Sequence, residues 1–371
     1  MQKWGCRKCT TPVLVKNAKE KMKMKKAISV LLCAVMLIAC AVPAFAWSAK
    51  DPIDSMDKPS LVASFQKGKG PMTEGYAIDY RYYSPVKEND ANKYPLVIWL
   101  HGMYEGSKEG AQIEKNDIAF WASEEFQSRF VNGGAFILAA RSPEEQLNYW
   151  GDDTVYPLRA AIDDFIAQNA DSIDLSRIYI GGFSMGGKMT LHMTHAYPEM
   201  FAAAFPICPA GNISKDNAPL VADIAYWFVS GTGDPLVNYN VGVVPAWNNV
   251  ISANNRPADC RFSTLSEVCY PDGEKTSSAH HAWYAVTFDM FSLENGDYPH
   301  MSTVNGLGEE VTLTYPDGMI AWLCQFTSSF DGSVATDTGN RSPGVRNPLN
   351  VFVNLFNKII AFFRSIFENM F

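Results

Sequence analysis

Residues 177–193 read RIYIGGFSMGGKMTLHM: an apolar run, one serine boxed between glycines, then a pattern of helical spacing. A strand that turns directly into a helix leaves almost no room at the corner. The residues flanking Ser184 must then be tiny, and the hydroxyl is left exposed above the sheet edge. Serine and glycine also build plain turns. Here, however, the strand stands before the G-x-S-x-G stretch and the helix after it, which is the context that such an elbow demands.

The surrounding chain supplies the sheet. YAIDYRYYSP alternates with period two, while PLVIWLHG and GGAFILAAR are continuous apolar runs of the length expected for strands buried on both faces. TVYPLRAAIDDFIAQNA then places Val155, Leu158, Ala161, Ile162 and Ile166 on one helical face. SRIYIGG, GKMTLHMTHAYPEMF, AAAFPICP and IAYWFVSGTGD continue as strand, helix, strand and strand. Such alternation predicts an α/β fold, with a mostly parallel sheet covered by helices on both faces. Residues 238–279 are rich in Asn, Pro and Gly and read as a loop-rich excursion beside the ligand site. WYAVTFDMF reads as a last strand and GMIAWLCQF as a last helix.

The two ends read as appendages to a catalytic domain at 47–330. KEKMKMKK followed by AISVLLCAVMLIACAV and AFA has the basic, apolar and small-residue order of a secretory signal, so residues 1–46 are expected to be removed after Ala46. The length of this leader places the expected start of synthesis at Met22 or Met24. LIAC offers a lipoprotein alternative, with lipidation at Cys40 and a cell-surface location. Residues 1–46 carry nine Lys/Arg and one Glu, so the net charge of −8 becomes −16 without them. So acidic a body is unsuited to nucleic acid. Residues 331–349 have linker composition. In 350–371, Val351, Leu355, Ile359, Phe362, Phe363, Ile366 and Met370 form the apolar face of an amphipathic helix, suited to a membrane surface, a partner protein or its own domain.

Four of the eight cysteines lie beyond residue 46. Export permits disulfides, and Cys260 with Cys269 is the expected pair. The alternative is that all four are small buried hydrophobes.

LHG at 100–102, DLSRIYIGGFSMGG at 174–187 and GTGDPLV at 231–237 together resemble the α/β-hydrolase fold. The likeness is to its secreted branch of polyhydroxybutyrate-depolymerase-like and feruloyl or acetyl xylan esterases, and it covers residues 72–330. It implies a Ser-Asp-His chain order, with Ser184 as nucleophile and Asp234 as acid. Of the six histidines, His300 follows the expected last strand, where this family places its base. His281 is the alternative, because HHAW resembles an H-x-x-W found in some relatives. His280 reads as a bystander.

By the same resemblance the oxyanion donors are the N–H groups of Met185 and Met103. Trp150, which follows a strand carboxyl end where ligands of such sheets gather, and Tyr104 are candidates for substrate contact. The implied function is secreted hydrolysis of carboxylic esters, including acyl groups on plant polysaccharides, through an acyl-enzyme. No cofactor or metal is expected, since no G-x-G-x-x-G with a following acid, P-loop or H-E-x-x-H occurs. A peptidase of the prolyl-oligopeptidase type shares the elbow and triad order. A non-catalytic binding module on the same fold is the reading from outside enzymology.

Overall fold

The computed structural model describes residues 57–332 except 144–149, 272, 294–295, 298–299 and 315. The expected signal segment 1–46 with Cys40, the linker past residue 332 and the amphipathic helix 350–371 lie outside the described residues. Among the described residues, no helix is long and apolar enough to cross a membrane.

Eleven strands are described: β1 Gln66–Lys69, β2 Asp79–Tyr83, β3 Tyr94–Leu100, β4 Phe136–Ala140, β5 Ile173–Phe183, β6 Ala203–Ile207, β7 Ala225–Gly231, β8 Arg261–Leu265, β9 Ser292–Leu293, β10 Gly296–Asp297 and β11 Met301–Asn305. Nine form one sheet in the order β1-β2-β4-β3-β5-β6-β7-β8-β11, and β9 and β10 form a separate ribbon. From β4 to β8 every pairing is parallel. Antiparallel β1 and β2 close one side and antiparallel β11 the other.

The parallel strands β3, β4 and β6 read as unbroken apolar runs because both faces are covered. Along β3, Val97 and Trp99 pack into one core layer with Tyr179, Phe205 and Trp227. Leu96, Ile98 and Leu100 pack into the other with Leu138, Ile180 and Phe228. Helix α1 (Val155–Gln168) contributes Leu158, Ala161, Ile162 and Phe165 to the second layer. The other helices used below are α2 (Met185–Ala196), α3 (Val244–Ile251), α4 (Trp283–Thr287) and α5 (Met319–Leu323).

Two expectations change. The stretch 238–279 is not all excursion, since it contains α3 and the last parallel strand, β8. Ser263 and Thr264 break the apolar run of RFSTL. Ser263 is nevertheless buried without penalty, because its Oγ accepts the Trp227 indole N–H at 2.8 Å and bonds Thr303 Oγ1 at 2.7 Å. Conversely, the apolar run at 283–291 begins as α4 rather than as a strand.

The expected Cys260–Cys269 disulfide is absent. Cys260 packs into the layer containing Phe262, and Cys269 into the layer containing Trp99, so the sheet's two core layers separate them.

Candidate active site

The register of the sheet brings several strand ends level. Leu100 pairs with Gly182, Phe183 with Ile207, and Gly231 with Leu265. The loops leaving these carboxyl ends carry the chemistry, as is usual for open parallel sheets.

Ser184 sits between β5 and α2 with φ 55° and ψ −111°. A non-glycine residue held there costs about 1–3 kcal/mol, and such strain persists only where the surroundings impose it. Its N–H donates to the Ile207 carbonyl at 2.8 Å, and its own carbonyl accepts from Ala210 and Lys188, each at 3.0 Å. A Cβ on Gly182 would lie 2.5 Å from the Leu100 carbonyl oxygen, and one on Gly186 would overlap the same group. Both glycines are therefore required by close approach to β3. Met185 is the first residue of α2, so its N–H has no intrahelical acceptor and lies at the positive end of the helix dipole.

Asp234 follows β7, its side chain fully buried. Oδ1 accepts the N–H groups of Leu236 and Val237 at 2.8 and 2.9 Å, and Oδ2 bonds His280 Nδ1 at 2.6 Å. Burial alone would raise this carboxyl; the His280 bond and the two amides outweigh it and hold the group below its ordinary value. An ionised Asp234 makes Nδ1 the protonated nitrogen and leaves Nε2 as the ring's basic position. The His280 ring packs on Phe183, the residue before the serine, with centroids 4.7 Å apart. Its backbone is held from below, where the Cys208 thiol donates to the His280 carbonyl at 3.6 Å.

Contrary to the expectation for His300, the structure does not pair it with Asp234. His300 is exposed, at φ 67°, just before the edge strand β11, and its carbonyl accepts the Ser266 N–H. His281 is half-buried against Tyr284. Asp234 bonds neither of them but His280, which the sequence reading set aside. One signal pointed there: an H-x-x-W counted back from Trp283 begins at His280.

The loop after β3 is braced by buried side chains. His101 Nδ1 bonds the Gly102 carbonyl at 2.6 Å, and Nε2 accepts the Ser142 N–H at 3.0 Å. Only a neutral imidazole protonated on Nδ1 satisfies both. Trp150, expected to contact substrate, is instead fully buried beneath the loop, its indole N–H donated to the His101 carbonyl at 3.0 Å. Tyr104 is half-buried at φ 64°.

Burial lowers the His101 pKa from 6.5 to about 4. Between those values the unfolded chain holds a proton that the folded chain does not, so stability is full above pH 6.5 and falls as pH drops through the window. The slope contributed is at most about 1.4 kcal/mol per pH unit. Urea unfolding between pH 4 and 6.5 should therefore lose about one proton of pH dependence in His101→Gln. An unchanged slope would mean that His101 titrates normally in the fold.

Cys208 Sγ, Asp234 and His280 bring potential ligand atoms within 4.8 Å of one another. The donor set fits a hydrogen-bonded acid–base pair better than an ion. Tetrahedral zinc would hold oxygen and nitrogen ligands about 3.3 Å apart, against 2.6 Å between Asp234 and His280, and burial pushes the Cys208 thiol pKa up.

Residues 82–269 match the family model described as phospholipase/carboxylesterase, which is half of the chain. Among curated proteins, the bifunctional acetylxylan esterase/xylanase XynS20E of Neocallimastix patriciarum is 24% identical over 213 residues. The match covers 57% of this chain and 28% of that protein, so the chain spans under a third of that relative's length. Among solved structures, a thermostable esterase is 27% identical with a TM-score of 0.49, covering 61% of this chain and 60% of its own. The acetyl xylan esterase from Aspergillus awamori is 16% identical with a TM-score of 0.37, covering 51% of this chain and 80% of its own.

Proposed function

The chain belongs to the phospholipase/carboxylesterase family of α/β hydrolases, and on that premise we propose that it is an exported serine esterase using Ser184, His280 and Asp234. The observation that carries the reading is the buried Asp234–His280 hydrogen bond beside a serine strained at its elbow. Ser184 Oγ gives its proton to His280 Nε2 as it attacks the ester carbonyl, and Asp234 stabilises the imidazolium. The tetrahedral oxyanion is received by the Met185 and Met103 N–H groups. The alcohol leaves with the proton from His280, and water, deprotonated by the same nitrogen, then releases the acid.

The substrate we favour is an acetyl or other small acyl ester on a plant polysaccharide. Support comes from the relative whose name joins acetylxylan esterase to xylanase, from the resemblance to that esterase branch, and from the secretory character of residues 1–46.

The test uses the chain from Trp47 onward. Release of acetate from acetylated xylan, with hydrolysis of p-nitrophenyl acetate and none of peptide p-nitroanilides, is the expected result. Turnover of the anilides in preference to the esters would favour the peptidase reading. Activity on p-nitrophenyl acetate without acetate release from xylan would keep the esterase and remove the polysaccharide.

A further inference from the structure

Glu105 lies outside the Ser-His-Asp set, yet it is tied into the same site. Its Oε2 accepts the Gly102 N–H at 2.7 Å, and its Oε1 accepts Asn116 Nδ2 at 3.1 Å. A Cβ on Gly102 would lie 2.7 Å from Glu105 Oε2 and 2.9 Å from the Phe183 ring. The carboxylate thus reaches into the layer formed by Gly102, Phe183 and His280.

The peptide geometry gives this contact a function. The unit joining His101 to Gly102 is held at both ends, its carbonyl by the Trp150 indole and its N–H by Glu105. The next unit, Gly102 to Met103, has its carbonyl held by His101 Nδ1 and by the Glu105 N–H at 3.3 Å. In a trans peptide the N–H points opposite to the carbonyl. Fixing the Gly102 carbonyl toward His101 therefore aims the Met103 N–H the other way. Among the described residues it has no hydrogen-bond acceptor. Arg141 Nε, bonded to the Gly106 carbonyl at 2.8 Å, fixes the far end of the loop.

We propose that Glu105 is the positioning residue of the oxyanion loop, clamping the Gly102 amide so that the Met103 N–H is preset for the transition-state oxygen. The inference rests on the serine-esterase reading above. Burial pushes the Glu105 carboxyl up, against the Gly102 and Asn116 hydrogen bonds, so these two donors are the partners on which its place in the protein depends. The clamp needs an acceptor aimed at Gly102, not a charge. Asn116 is fully buried, and among the described residues its Oδ1 has no hydrogen-bond partner. In Glu105→Gln, the new Oε1 accepts the Gly102 N–H while the new amide donates to Asn116 Oδ1 once that side chain flips.

A preset donor acts mainly on the transition state. In Glu105→Ala, kcat on p-nitrophenyl acetate should fall by about 10–10²-fold with KM within about twofold, the scale of a misplaced donor. Affinity for a trifluoromethyl ketone, which forms a tetrahedral oxyanion on the serine, should fall by a similar factor. Counting sites by fluorophosphonate titration keeps the fraction of folded enzyme out of kcat. Glu105→Gln should restore kcat to within about fivefold of the parent.

An unchanged kcat in Glu105→Ala overturns the proposal, and so does a loss that appears wholly in KM or that Glu105→Gln shares in full. Should the alanine variant fail to fold, Asn116→Ala takes its place: a several-fold fall in kcat at constant KM supports the clamp, and none overturns it. Ser184→Ala is run alongside. If it keeps activity the esterase reading itself fails, whereas a dead Ser184→Ala beside a fully active Glu105→Ala removes only the clamp.

Discussion

Ser184→Ala is expected to lower kcat on p-nitrophenyl acetate by about 10⁴–10⁶-fold, the scale seen when a serine nucleophile is removed. The substitution deletes one oxygen and leaves every backbone bond of the elbow in place, including Ser184 N–H to Ile207 and Ala210 N–H to Ser184. Loss of fold therefore does not explain the loss of rate. A residual rate above that of water is still expected, because the Met185 and Met103 amides remain. The measurement is initial-rate kinetics on preparations matched for the concentration of folded protein. A loss of less than tenfold would reduce GFSMG to a turn.

His280→Ala should bring a loss of the same size, and Asp234→Asn about 10⁴-fold through the wrong imidazole tautomer. His300→Ala and His281→Ala should stay within about threefold, as substitutions outside the reacting pair usually do. Combining Ser184→Ala with His280→Ala should cost little beyond either alone, since residues that act as a unit are far from additive. A dead His300→Ala beside an active His280→Ala would restore the assignment made from chain order.

That exchange of histidines shows where the sequence was legible and where it was not. The parallel strands β3, β4, β6 and β7, and the second half of β5 from Ile178, are largely apolar runs because both faces are covered, and each could be read directly. The elbow was equally plain, since its glycines are demanded by the Leu100 carbonyl. β8 was not. Its Ser263 is satisfied by Trp227 and Thr303, side chains 36 and 40 residues away in the chain, and no local pattern shows such partners.

Missing β8 shifted the expected last strand to 283–291 and carried the histidine with it to residue 300. Trp150 misled for a related reason. An indole after a strand end suits a sugar-binding wall or a buried support equally well, and only the bond to the His101 carbonyl tells them apart. Glu105 gave no signal in composition or spacing, because its role depends on two hydrogen bonds whose partners, Gly102 and Asn116, flank it at unequal distances.

The most direct test of the whole arrangement is the rate at which a fluorophosphonate forms a covalent adduct, followed by peptide mass mapping, in the parent, His280→Ala and His300→Ala. The Ser184–His280–Asp234 account predicts one adduct, on Ser184, formed at the parent rate in His300→Ala and slowed by orders of magnitude in His280→Ala. An adduct on another residue, or rapid labelling of Ser184 without His280, would contradict it.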